Sequence, residues 1–168
     1  MIQPSLLTAE LLKAVIARDI NLAMIYLEQG ADPNGANPET GGSFLHHAVE
    51  FERSGELAKL LIEYGADVNA ANPRYGTTAA MYAARSNMPA LTLLLEKGVD
   101  LDKKDGVDRT ALDWARQTEN TKAVKMIKKA LGQQVQQAEQ ARLSALHDTA
   151  AKRQNILKNL RPKMARPQ

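Results

Sequence analysis

Apolar positions in the first 130 or so residues fall into short stripes at helical spacing, separated by polar turns. Leu11, Leu12, Val15 and Ile16 make the first, and Leu22, Ile25 and Leu27 the second, joined through Arg18-Asp19. Leu57, Leu60, Leu61 and Ile62 follow, then Leu91, Leu93, Leu94 and Leu95, then Val124, Met126, Ile127 and Leu131. Residues three and four apart share one face of a 3.6-residue helix, so each stripe predicts a short amphipathic helix. None approaches the ~18 consecutive apolar residues that a membrane-spanning helix needs.

Three of the stripes end alike: Tyr26-Leu27-Glu28-Gln29-Gly30-Ala31-Asp32-Pro33-Asn34, Leu61-Ile62-Glu63-Tyr64-Gly65-Ala66-Asp67-Val68-Asn69 and Leu94-Leu95-Glu96-Lys97-Gly98-Val99-Asp100-Leu101-Asp102. Their glycines lie 35 and 33 residues apart, and Gly132 follows at 34. Each closes a helix, where a left-handed cap suits a residue without Cβ. A second signature recurs after a turn rich in Asn, Pro and Gly. It runs Ser43-Phe44-Leu45-His46-His47-Ala48, then Thr78-Ala79-Ala80-Met81-Tyr82-Ala83-Ala84, then Thr110-Ala111-Leu112-Asp113-Trp114-Ala115. Its Ser or Thr suits an N-cap, and the alanines let this helix approach its neighbours closely.

These residues resemble the ankyrin repeat, whose unit contains Thr-Pro-Leu-His-x-Ala and ends in Leu-Leu-x-x-Gly-Ala-Asp-x-Asn. The resemblance covers roughly residues 6–132 and implies an all-α solenoid of helix-turn-helix units, at about 6–36, 37–71, 72–104 and 105–132. The first unit lacks the signature and starts at Thr8-Ala9-Glu10, as a terminal cap would. Unit two is one residue long between its helices (Glu50 to Gly55) and unit three one short (Ser86 to Pro89). No unit has Pro at the second signature position, and only unit two keeps the His.

Composition sharpens this picture. There are two Phe, four Tyr and one Trp, so aliphatic side chains and alanine must pack the core. The absence of cysteine excludes disulfides and a cysteine nucleophile. The net charge of +3 is unevenly divided: residues 1–132 carry −2 and residues 133–168 carry +5. The basic end reads as a C-terminal helix over 133–160, followed by a disordered tail at 161–168. A heptad placing Leu143, Ala150 and Leu157 at one seam position and Leu146, Arg153 and Leu160 at the other persists for only two and a half imperfect repeats. The helix is expected either to cap the open end of the solenoid or to pair with a partner helix or a second copy. Nucleic-acid binding by this segment is an alternative that its charge allows, but residues 133–168 hold no aromatic for base stacking.

Catalytic chemistry finds no foothold. His46 and His47 are adjacent, so on a helix they project about 100° apart. With His147 far off in the sequence there is no metal-ligand spacing, and no phosphate-binding or nucleophile motif occurs. The resemblance makes His46 a structural hydrogen-bonder between units. The next position holds His47, Tyr82 and Trp114, with Lys13 in the first unit, and stacking would align these as a ladder. The fingers between units are Asn37-Pro38-Glu39-Thr40, Asn72-Pro73-Arg74-Tyr75 and Lys103-Lys104-Asp105-Gly106-Val107-Asp108. Asn72-Pro73-Arg74-Tyr75 also spells a motif of endocytic and phosphotyrosine-binding-domain ligands, although Asn-Pro is what a tight turn selects anyway.

The expected function is therefore a non-catalytic, cytoplasmic protein-interaction adaptor without cofactor, metal or small-molecule substrate. Its partner-binding residues are Tyr75, Tyr82 and Trp114 as anchors, Arg74 and Arg85 as polar flanks, and His47 on the same row. A bacterial effector, translocated into a host cell with the basic end as its signal, is the other reading.

Overall fold

The computed structural model describes residues 3–160. The segment expected to be disordered, 161–168, lies outside the described residues. Among the described residues eight helices follow in order: α1 (Pro4–Ala17), α2 (Ile20–Glu28), α3 (Phe44–Phe51), α4 (Glu56–Glu63), α5 (Ala79–Ser86), α6 (Met88–Glu96), α7 (Ala111–Gln117) and α8 (Thr121–Leu160). Among the described residues there is no strand, only single antiparallel bridges Ala36–Ser43 and Ala71–Thr78 that pinch two fingers. The chain divides into two compact units, residues 1–128 and 129–168.

In the first unit α1, α3, α5 and α7 form one row, each against the next, and α2, α4 and α6 form a second. The first row stacks through small side chains: Ala48, Ala79, Ala80, Ala83, Ala84, Ala111 and Ala115 are all buried. Leu57, Leu61, Leu91 and Leu94 from the second row, with Leu11, Phe44, Leu45 and Met81 from the first, supply the bulk. The core is therefore a succession of thin layers, each closed by the next unit.

Local chemistry sets the helix ends. Gly30, Gly65 and Gly98 have φ of +94°, +94° and +71°. The following Ala31, Ala66 and Val99 donate back to Tyr26, Leu61 and Leu94 carbonyls at 3.0, 2.9 and 3.1 Å, closing three Schellman motifs. Gly132 breaks the series, because α8 runs through it without interruption. No turn follows Gly132, so nothing demands a left-handed residue there. Thr8 also departs from expectation: α1 starts earlier, with Pro4 in its first turn, and the Thr8 hydroxyl accepts the Asp32 N–H at 3.0 Å. Ser43 and Thr110 do close capping boxes, with His46 and Asp113.

The loops of unequal length are secured by different side chains. Between α5 and α6 only Asn87 remains, ending one helix and capping the next. It is buried; its amide donates to the Val49 and Glu52 carbonyls of the preceding unit at 2.9 and 2.6 Å, and its oxygen accepts from Ala90 N–H. Asn120 repeats the device before α8, donating to the Ala84 carbonyl and accepting from Ala123. The longer α3–α4 loop is held by Glu52, whose carboxylate accepts from Ser54 and Gly55 N–H at 2.6 and 2.8 Å. Gly55 has φ +81°, and a Cβ there would lie 3.2 Å from the Ala90 nitrogen, so the next unit presses on this loop.

His46 ties the same units from the finger side. Its Nε2 lies 2.8 Å from the Thr77 carbonyl, and its Nδ1 receives the Ser43 N–H at 3.2 Å and meets the Ser43 hydroxyl at 2.6 Å. A carbonyl can only accept, so Nε2 carries the proton and Nδ1 accepts. That is the neutral imidazole, and burial lowers its pKa below the ordinary 6.5 despite the favourable Thr77 carbonyl.

Asn87→Ala, which leaves buried carbonyls unpaired and removes a cap, should cost about 2–3 kcal/mol in urea unfolding. A loss below about 0.5 kcal/mol would remove the inter-unit role. For His46, the unfolded chain takes up its proton near 6.5 and the folded chain at lower pH. Stability should therefore be full above about pH 7 and decline below it, towards the depressed folded pKa. His46→Gln should start less stable and show a shallower decline between about pH 7 and pH 5, with burial of His47 leaving a remainder.

Candidate partner-binding groove

The second, third and fourth units each send a finger over the α3, α5 and α7 row, and the space between holds two adjoining recesses. One, of about 400 Å³, is lined by Arg74, Tyr75, Tyr82, Arg109 and Trp114 among others. The second, of about 280 Å³, takes in Glu39, His47, Glu50 and Phe51 and shares Tyr75 and Tyr82 with the first. Those two tyrosines form the divide.

The fingers are stitched together by backbone groups. The Arg74 guanidinium donates to the Glu39 and Pro38 carbonyls at 2.6 and 3.1 Å, and Asn72 donates to the Thr40 carbonyl. Gly106 N–H donates to the Tyr75 carbonyl at 2.7 Å, joining the next pair. Asn72 is buried, with its oxygen engaged by Arg74 N–H. The Asn72–Tyr75 segment is thus a folded finger rather than a free linear motif.

Asp105 stands in its finger where Asn37 and Asn72 stand in theirs, and the change from amide to carboxylate alters the neighbourhood. Its Oδ1 accepts from Val107 N–H, as the Asn37 and Asn72 oxygens accept from the N–H two residues on, and also from Arg109 N–H. Its Oδ2 has no counterpart donor role; it accepts from the Trp114 indole N–H and Arg109 Nε, both at 2.9 Å, and pairs with the second guanidinium nitrogen at 2.8 Å. Burial by itself would raise this carboxyl, yet the hydrogen bonds from the Arg109 N–H, the indole, the guanidinium and the Val107 N–H prevail and hold it at about 2.

From Trp114 a chain of contacts crosses the groove. The Arg109 guanidinium lies 5.0 Å from the Trp114 ring centre, and the Tyr82 ring is 5.5 Å away at a 54° tilt. Arg85 lies 5.6 Å from Tyr82 and 5.9 Å from Trp114, and its guanidinium reaches Glu50 at 3.4 Å. Tyr82 meets His46 edge-on at 5.9 Å. Rings interleaved with guanidiniums make a surface that accepts flat apolar groups and directs hydrogen bonds.

Five of the six expected binding residues, Arg74, Tyr75, Tyr82, Arg85 and Trp114, meet around this surface. Of the three rings Tyr75 is the most open, at 59% exposed. His47 lines the second recess but lies outside this run of rings and guanidiniums: it is buried, stacked on Phe51 of its own helix at 5.9 Å, with Nε2 3.2 Å from the Thr40 hydroxyl. The ladder therefore steps from His46, not His47, to Tyr82, because the α3 helix turns His47 towards its own finger. Lys13 takes no part and pairs with Glu10 at 2.7 Å. Arg109, Glu50 and Phe51 were not anticipated. Asp105 was legible through its 33-residue spacing from Asn72, whereas Arg109 has no such signal. Among the described residues no three His, Asp or Glu side chains converge to hold a metal ion.

Asp105→Asn should cost about 2 kcal/mol at neutral pH, since charged hydrogen bonds are lost at a buried site. The carboxyl titrates near 3.8 when unfolded and near 2 when folded. The wild-type advantage should be complete above about pH 4 and close as pH falls towards 2. A difference that does not narrow over that range would show that the carboxylate charge is not its source.

No curated protein matches this chain. A family model described as ankyrin repeats in three copies matches residues 11–105 and again residues 45–139. The two matches are offset by 34 residues, one repeat, and together cover most of the sequence, the groove included. Ankyrin repeats are generally protein–protein interaction modules. The repeats, their caps and this match place the chain in the ankyrin repeat family.

Proposed function

We propose that the chain is a non-catalytic cytoplasmic adaptor that holds a protein partner in the groove between its fingers and the α3, α5 and α7 row. The observation that carries this reading is the run of Tyr75, Tyr82 and Trp114 around a recess of about 400 Å³. Tyrosine, tryptophan and arginine dominate binding energy where they present rigid area beside a pocket. Arg85 supplies a polar flank at the rings, while Arg74 braces the finger that carries Tyr75. An incoming apolar side chain would insert beside Trp114, with Tyr75 closing over it.

The test starts from a partner captured from the native source and then purified. Tyr75→Ala removes an exposed ring, so stability should change by no more than about 0.5 kcal/mol. Its affinity for the partner should fall at least about tenfold. Trp114→Phe keeps an aromatic ring, though a smaller one, while dropping the indole N–H that Asp105 accepts, and should weaken binding with a folded solenoid. If both variants bind as the wild type does, the groove is not the partner site.

A further inference from the structure

The second unit poses a question that the groove leaves untouched. Along α8, Val135, Leu146 and Leu157 are 65%, 59% and 55% exposed. They recur every eleven residues, which is three helical turns to within about 20°, so they lie almost above one another. Leu143 and Ile156 flank that line and are also exposed. The opposite face carries Gln133, Gln137, Gln140 and Ser144. One side of a long helix thus displays an apolar line to water.

We propose that this face pairs with the same face of a second copy of this chain, antiparallel, about a two-fold axis at Leu146. The seam positions are Val135, Glu139, Arg142, Leu146, Ala150, Arg153 and Leu157, at steps of 4, 3, 4, 4, 3 and 4 residues. That order is the same in both directions, as a self-complementary antiparallel contact requires. Leu146 meets Leu146 of the second copy, and Val135 meets its Leu157.

The charges decide the orientation. In a parallel pair Glu139, Arg142 and Arg153 would each face their own kind. In the antiparallel pair Glu139 faces Arg153 of the second copy, and this happens twice by symmetry. Arg142 faces Ala150, whose small side chain leaves room for the guanidinium to reach water along its stem. The antiparallel pair also sends the basic residues Lys152 and Lys158 of the two copies to opposite ends. With a charge of +5 over residues 133–168, a parallel pair would crowd them together. A lipid surface suits this face poorly, because Glu139 and Arg153 sit within the apolar line and residues 133–168 contain no aromatic. Eleven-residue spacing favours nearly straight helices with a slight right-handed coil, which is why a seven-residue frame fits the segment badly.

Sedimentation equilibrium of the full chain should give twice the 18.4 kDa of one copy. Glu139→Arg and Arg153→Glu should each weaken the dimer at least about tenfold, and the double reversal should restore it. In a parallel pair the single reversals would change nothing. The chain has no cysteine, so single introduced thiols report orientation cleanly. Under oxidation Leu146→Cys should cross-link to itself. Val135→Cys should not, since the two copies of that position would lie about 33 Å apart. A chain that remains monomeric at the highest attainable concentration overturns the proposal. So does ready cross-linking of Val135→Cys, or α8-dependent binding of the monomer to anionic vesicles.

Discussion

Everything in the repeat unit depends on how closely α1, α3, α5 and α7 approach. Alanines at 48, 79, 80, 83, 84, 111 and 115 let the helix backbones come near enough that a side chain from one unit bonds the main chain of the next. Asn87 reaches Val49 and Glu52, His46 reaches Thr77 and Asn120 reaches Ala84 on that condition. A single unit offers only half of each such bond and one side of each layer. Stability is thus a property of adjacency, shared between neighbours rather than owned by any unit.

The same closeness explains where the rings lie. A row packed through alanine has no room for Tyr82 or Trp114 between its helices, so they sit at its finger side. There Asp105 supplies the charge that orients Trp114 and Arg109. In the earlier fingers Asn72 occupies this place and spends its amide on the preceding finger, at the Thr40 carbonyl. A carboxylate cannot donate, so the last finger turns inward to a tryptophan where its predecessor turns back to a carbonyl.

Much of this was legible in the chain because it repeats. The 35- and 33-residue glycine spacings located three helix ends, and the Ser or Thr of each signature located the starts of α3, α5 and α7. The binding face was legible in part, since equivalent positions in successive units must share a row. His47 escaped that logic: adjacent residues on a helix project about 100° apart, and which of two histidines continues the row depends on packing. Gly132 escaped it too, because a glycine at repeat spacing caps a helix only if a turn follows, and here Gln133 onward continues α8. Arg109 lies in a loop without periodicity, and its place follows from Asp105 in three dimensions.

The stitching of the fingers carries one more consequence. Arg74 clasps two carbonyls of the preceding finger, and Gly106 holds the Tyr75 carbonyl of the finger before it. Tyr75 is therefore exposed on a turn whose backbone is already committed on both sides. A ligand arriving there meets a mould set in advance, and the entropy of ordering falls on the ligand. Sequence change at the exposed tip can alter what is recognised while the clasp, made largely with carbonyls that every residue possesses, stays in place. The fold thereby separates the freedom to change specificity from the obligation to remain folded.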